Sequence, residues 1–154
     1  MILLLLVAFG LTCATVIIHA LGTLGALAHL ARIWQERKQY RRRLASEIQV
    51  FRVVSVLLVL HLAEASVWAT IYWLAALLPD FETAIYFSIT SYTTVGYGDV
   101  VLKAPWRLLG PIEAAVGILM FGWSTAVMVT VINRVYGDRL RLQADPATER
   151  NEPS

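Results

Sequence analysis

Residues 79–100 read Pro79-Asp80-Phe81-Glu82-Thr83-Ala84-Ile85-Tyr86-Phe87-Ser88-Ile89-Thr90-Ser91-Tyr92-Thr93-Thr94-Val95-Gly96-Tyr97-Gly98-Asp99-Val100. The stretch has two unlike halves. Pro79-Asp80 is a helix start, because the Asp80 carboxylate can accept from free N–H groups and Glu82 complements the positive helix end. Residues 82–92 then form a helix of about three turns, roughly 16 Å long at 1.5 Å per residue. In the second half, two glycines flank Tyr97 and allow backbone angles that other residues resist. An extended backbone with its carbonyls turned to one side becomes possible.

The flanks decide what this short helix does. A spanning helix needs about 20 mostly apolar residues, and three stretches have them: Ile2–Ala31, Val53–Leu78 and Leu108–Ile132. The first holds no Asp, Glu, Lys or Arg; the second is broken by His61 and Glu64, the third only by Glu113. Residues 82–92 lie between two of these stretches and reach half the bilayer, so the segment is expected to dip in and return. Irregular backbone at that depth is tolerated where it lines a water-filled path. The fold class that follows is an all-α membrane protein with three transmembrane helices, a re-entrant pore helix and a loop.

The composition agrees. Hydrophobic residues make up 58% of the 154 and charged residues 16%, against about 25% charged in a soluble domain. A soluble chain this short has too little interior to hide so much apolar surface. A water-soluble enzyme, a disordered segment and a nucleic-acid-binding arm are thereby disfavoured, and the net charge of +2 calls for no polyanion. The single cysteine, Cys13, leaves no intrachain disulfide or cysteine metal cluster. Ala26-Leu27-Ala28 resembles a signal-peptide cleavage site, but no basic residue precedes the apolar run and the run exceeds a signal peptide's core. A retained helix is expected.

Charge sets the orientation. Arg32, Arg37, Lys38, Arg41, Arg42, Arg43 and Arg52 lie between the first two stretches, and Arg134, Arg139, Arg141 and Arg150 follow the third. Only Lys103 and Arg107 lie between the second and third. The positive-inside rule then puts Met1 outside and both basic segments in the cytoplasm of a multi-pass protein of the cell (inner) membrane. The expected organisation is an N-terminal transmembrane helix (1–31), a basic amphipathic linker (32–52), a pore domain (53–136) and a cytoplasmic tail (137–154). In the linker Ile33, Tyr40, Leu44, Ile48 and Phe51 recur at helical spacing among the basic residues, a pattern that rests on a membrane surface and suits anionic lipid. Its arginines cluster outside the apolar runs, unlike those of a voltage sensor. The tail is polar and is expected to be irregular from Gly137.

The run Thr94-Val95-Gly96-Tyr97-Gly98 matches the potassium-channel filter sequence, and all eight residues from Thr93 to Val100 fit in place between two spanning helices. From about Val53 to Val135 the chain resembles the two-helix pore module of bacterial potassium channels, with one helix added in front. The resemblance implies that carbonyls of Thr94, Val95, Gly96 and Tyr97, with the Thr94 hydroxyl, bind dehydrated K+ as the permeant ion. It implies that Gly98 completes the filter, with Thr93, Asp99 and Tyr86 as its supports. Tyr86 stands where relatives often place a tryptophan that bonds the aspartate after the filter, so a Tyr86–Asp99 hydrogen bond is expected. Some members carry a glutamate at the position of Thr90, which here has no charge to offer Asp99. The run Gly122-Trp123-Ser124-Thr125 looks like the inner helix of a bacterial subgroup. Gly117, Gly122, Ser124 and Thr125 are accordingly candidates for cavity and gate. Either glycine can instead serve close helix packing, and Ser or Thr can bond its own helix.

A carbonyl ring needs four strands and one chain supplies one, so a homotetramer is expected. No cofactor, enzymatic activity or nucleic-acid partner is expected. A non-conducting subunit that modulates another channel or transporter is the competing reading, but its mark would be a damaged filter. His61 and Glu64 lie one helical turn apart, too few ligands for a metal site. An acidic residue at bilayer depth is costly unless paired or protonated, and His19 falls at a similar depth on the first helix. A polar cluster of His19, His61 and Glu64 follows, the alternative being Glu64 bonded to a hydroxyl and His19 facing a neighbouring chain. Glu113, just after Pro111, is expected to act structurally near a helix N-terminus rather than to attract cations at the pore mouth.

Overall fold

A computed structural model of the chain describes residues 1–36 and 42–144. Four α-helices account for most of it: α1 (Ile2–Glu36), α2 (Arg42–Leu74), α3 (Phe81–Tyr92) and α4 (Leu109–Ala144), with a 3₁₀ turn at Trp106–Leu108 leading into α4. Windows within Ile2–His29, Ile48–Leu74 and Trp106–Arg134 are long and apolar enough to cross a membrane. The long helices overrun the apolar stretches at their basic ends. Residues 32–36 complete α1 and 42–52 open α2, so the expected linker is largely the ends of two helices. Tyr40 lies outside the described residues. The tail expected to be irregular from Gly137 continues as helix to Ala144, because nothing in 137–144 breaks a helix until Pro146; residues 145–154 lie outside the described ones.

The start of α3 follows from its sequence. Asp80 has extended backbone and caps the helix: Oδ1 accepts from the Thr83 amide at 2.7 Å and Oδ2 from the Thr83 hydroxyl at 3.0 Å. The end of α2 does not. Leu77 N–H donates to the Tyr72 carbonyl and Ala76 N–H to that of Trp73, both at 2.9 Å, with Ala76 at φ 51°. This is a helix stop usually made with glycine, built here on alanine at a cost of roughly 1–2 kcal/mol. Pro79 then prevents the helix from resuming.

α3 packs between α2 and α4, and α1 packs on both long helices. The main core lies at the end where α3 sits: Leu4, Ala8 and Leu11 of α1, Trp68 and Tyr72 of α2, Phe87 and Tyr92 of α3, and Val116 and Met120 of α4. A smaller group, Val53, Leu57 and Val131, closes the opposite end. The Trp68 indole N–H donates to Thr15 Oγ1 at 3.0 Å, and Thr15 donates to the Leu11 carbonyl, so this α1–α2 contact leaves no polar atom stranded. A Cβ on Gly22 would run into the Leu60 side chain, so glycine sets the approach of α1 to α2 farther along.

Candidate functional site

The loop after α3 starts by closing on the helix it leaves. Thr93 N–H donates to the Ile89 carbonyl, Thr94 N–H to that of Ser91 and Gly96 N–H to that of Thr90, at 2.9–3.0 Å. The last carbonyls of a helix have no partners within it; here the loop's own amides supply three. Thr94, Gly96 and Gly98 take positive φ of 63°, 50° and 79°, while Val95 and Tyr97 between them do not. Alternating handedness gathers successive amides on one side and leaves carbonyls free for the other, which a regular strand does not do. No atom lies within 4 Å of a Cβ built on Gly96 or Gly98, so these glycines serve backbone conformation rather than space.

Beyond the loop, the Tyr86 hydroxyl donates to Asp99 Oδ2 at 2.7 Å, and Asp99 Oδ1 accepts from the Val100 amide at 3.0 Å. The Tyr86 bond holds the Asp99 carboxyl below the usual aspartate range. Thr90 turns away and donates to the Phe87 carbonyl at 3.0 Å. The pair therefore spans α3 and the far end of the loop without an ion pair.

Behind the loop lies a buried polar cluster drawn from all four helices. His19 Nδ1 is 2.8 Å from Glu64 Oε1, and the Tyr92 hydroxyl donates to Glu64 Oε2. His61 Nδ1 is 3.1 Å from the Tyr92 hydroxyl, and Ser124 Oγ lies 2.9 Å from His61 Nε2 and 3.3 Å from His19 Nε2. His19, His61 and Glu64 come together, but with Tyr92 and Ser124, which the sequence reading did not attach to them. Glu64 takes both alternatives at once, a histidine and a pore-helix hydroxyl, and His19 is buried within its own chain. Potential metal-ligating atoms of the three lie within 4.8 Å of one another, yet each residue already has hydrogen-bond partners inside the cluster.

One reading of α4 is corrected. Ser124 is not on a cavity wall of this chain but buried in the cluster; Thr125 is exposed and donates to its own helix at the Phe121 carbonyl. Glu113 has the structural place expected of it, but through buried hydroxyls rather than the helix end. It is fully buried, accepts from the Tyr72 hydroxyl at 2.7 Å and meets Ser88 Oγ, which also reaches the Ala65 carbonyl at 2.6 Å. Ser88 has one proton for two acceptors, so the third contact draws on a proton carried by Glu113 itself. Tyr72 and Ser88 escaped the sequence reading; an acidic residue inside an apolar run is the signal that such hydroxyls must exist. Gly117 sits where a Cβ would strike the Tyr92 carbonyl, whereas Gly122 has nothing within 4 Å. Gly117 thus lets α4 approach the end of α3.

Three helices able to span a membrane, a half-length fourth between the second and third, and a glycine-bearing loop returning from it define a membrane protein of pore architecture. Residues 56–134, just over half the chain, match the family model described as "Ion channel", and the chain belongs to that family. No curated protein and no solved structure gives a significant match.

Proposed function

We propose that the protein is a potassium-selective channel. Four copies surround one central pore, and dehydrated K+ passes through rings of carbonyls from Thr94, Val95, Gly96 and Tyr97. One observation carries the reading: Thr94-Val95-Gly96-Tyr97-Gly98 returns from a half-length helix with left-handed backbone at every second residue. That backbone can present consecutive carbonyls to one axis, which is what replacing an ion's hydration shell requires. The C-terminal end of α3, carrying partial negative charge, leads into the same loop. Val95 and Tyr97 are 52% and 72% exposed on the isolated chain, which leaves apolar surface for neighbouring copies to cover. Membership of the ion channel family supports ion transport rather than catalysis. The basic residues of 32–52 and the tail support a cytoplasmic position for those segments, next to anionic lipid, with Met1 outside.

The test is conduction by purified protein in liposomes or planar bilayers. Potassium and rubidium should permeate, with sodium largely excluded, and the reversal potential should follow the potassium gradient. Gly98→Ala should abolish flux, since a Cβ there strains the positive φ of 79° that the loop requires. A reversal potential indifferent to the potassium gradient refutes the reading.

A further inference from the structure

The buried cluster closes on itself. Taken in order, Glu64–His19, His19–Ser124, Ser124–His61, His61–Tyr92 and Tyr92–Glu64 form a ring of five contacts. Each contact consumes one proton. A neutral histidine supplies one, a tyrosine one, a serine one and a carboxylate none, so ionised Glu64 with two neutral histidines leaves the ring one proton short. That state also carries a net negative charge at bilayer depth, where no Lys or Arg is at hand: none occurs in 1–31, 53–102 or 108–133. One added proton cures both faults. It completes the fifth contact and makes the ring neutral, whether it resides on Glu64 or on His19. A second added proton would leave a buried positive charge and a ring donor without an acceptor.

We propose that this ring is a binding site for one proton, and that its occupancy decides whether Ser124 of α4 is hydrogen-bonded to His19 of α1. The count leaves one contact unfilled on proton release, and the distances single out which: Ser124 sits closer to His61 Nε2 than to His19 Nε2. Ionised Glu64 keeps both its donors, His19 Nδ1–H and the Tyr92 hydroxyl. Tyr92, having given its proton, accepts from His61 Nδ1–H. His61 Nε2 then needs the Ser124 proton. Nothing remains for His19 Nε2 and Ser124 Oγ, two lone pairs facing each other across the longest contact of the ring, 3.3 Å. Proton loss therefore breaks the ring's one hydrogen bond between α1 and α4 and leaves Ser124 bonded in the ring to His61 alone.

The groups facing the ring are few. α1 contributes His19, α2 His61 and Glu64, α3 Tyr92 and α4 Ser124, with the Trp123 and Phe121 rings alongside. The other buried carboxyl among the described residues, Glu113 of α4, is engaged with Tyr72 and Ser88. His61, 9% exposed, is the most accessible member and the exit for the proton. The proton site stands without conduction; its effect on ion flow rests on the channel reading. In that reading Tyr92 ends the pore helix one residue before Thr93 and Ser124 lies on the pore-lining helix, so the proton adjusts both parts of the pore.

The test is a pH titration of the purified full-length protein, labelled with ¹⁵N-histidine and followed by NMR. His19 Nε2 should be protonated at acidic pH and bare at alkaline pH, whichever residue holds the added proton. In Glu64→Gln the amide N–H donates to His19 Nδ1 and the amide oxygen accepts from Tyr92, which reproduces the loaded ring permanently. His19 Nε2 should then stay protonated throughout. In liposomes the wild type should change its potassium flux with pH, the balance between conducting and non-conducting channels shifting at most about tenfold for each unit by which the ring's proton affinity differs between them. Glu64→Gln should bring the ratio of alkaline to acidic flux to one. A His19 Nε2 that never changes state in the wild type overturns the proposal even if the variant fails to fold, as does a Glu64→Gln channel with undiminished pH dependence. Absence of flux at every pH refutes the channel reading and leaves the NMR titration to decide the proton site.

Discussion

Gly117→Ala sets two opposed effects against each other. Alanine in a helix interior is favoured over glycine by about 1 kcal/mol. Against this, the new Cβ would strike the carbonyl oxygen of Tyr92, with the carbonyl carbon and the Tyr92 ring just behind it. The obstacle is backbone at the end of α3, so no rotamer change relieves it. Either α4 withdraws or the end of α3 moves. Overpacking of this kind costs about 1–3 kcal/mol, and a backbone obstacle puts it at the upper end, so the net expectation is a loss of about 1–2 kcal/mol per chain. Gly122→Ala isolates the propensity effect, because no atom of the chain stands within 4 Å of its Cβ. Thermal unfolding of the detergent-solubilised protein, followed by loss of the intact assembly on gel filtration, should rank Gly122→Ala at or above the wild type and Gly117→Ala below it. If Gly117→Ala is as stable as Gly122→Ala and alters only gating, then Gly117 is a hinge and the packing argument is wrong.

Two further predictions concern the buried and outer supports. Glu113→Ala leaves the Tyr72 hydroxyl without an acceptor in the core, whereas Ser88 keeps the Ala65 carbonyl, and should cost about 1–3 kcal/mol for that unsatisfied group. Glu113→Gln, which can accept from Tyr72 and donate to Ser88, should unfold close to the wild type; equal damage from both variants would show that the negative charge itself is needed. At the outer mouth, Tyr86→Phe removes the bond that lowers the Asp99 pKa. The Tyr86–Asp99 contribution is present above the ordinary aspartate pKa and lost as pH falls through the lowered value. External acid should therefore disturb the filter at higher pH in Tyr86→Phe than in the wild type, as read from current against external pH; coincident titrations would make the bond unimportant.

The architecture was legible because each signal in it is local. Apolar runs count out to three spans, Pro79-Asp80 opens a helix too short to cross, and two glycines around Tyr97 release the backbone after it. These depend on chain length, capping and allowed dihedral angles, which neighbouring residues along the chain set. The Tyr86–Asp99 bond could be expected only through the resemblance to potassium channels, whose members often carry a tryptophan at the position of Tyr86. The stop at Ala76 could not, because alanine carries no local preference for left-handed backbone and is held there by the bonds on either side.

The buried partners are a tertiary matter. An acidic residue in an apolar run announces that a proton or donor must be found, but not where. Whether Glu64 meets His19, Tyr92 or both depends on the rotation of each helix about its axis. That rotation is set by packing at Gly22 against Leu60, Gly117 against Tyr92 and Trp68 against Thr15. The same rotation turns Ser124 into the cluster, leaves Thr125 exposed, and carries Glu113 inward to Tyr72 and Ser88. Which residues need partners is written in their chemistry; which partners they have follows only from three helices and a half-helix closing on one another.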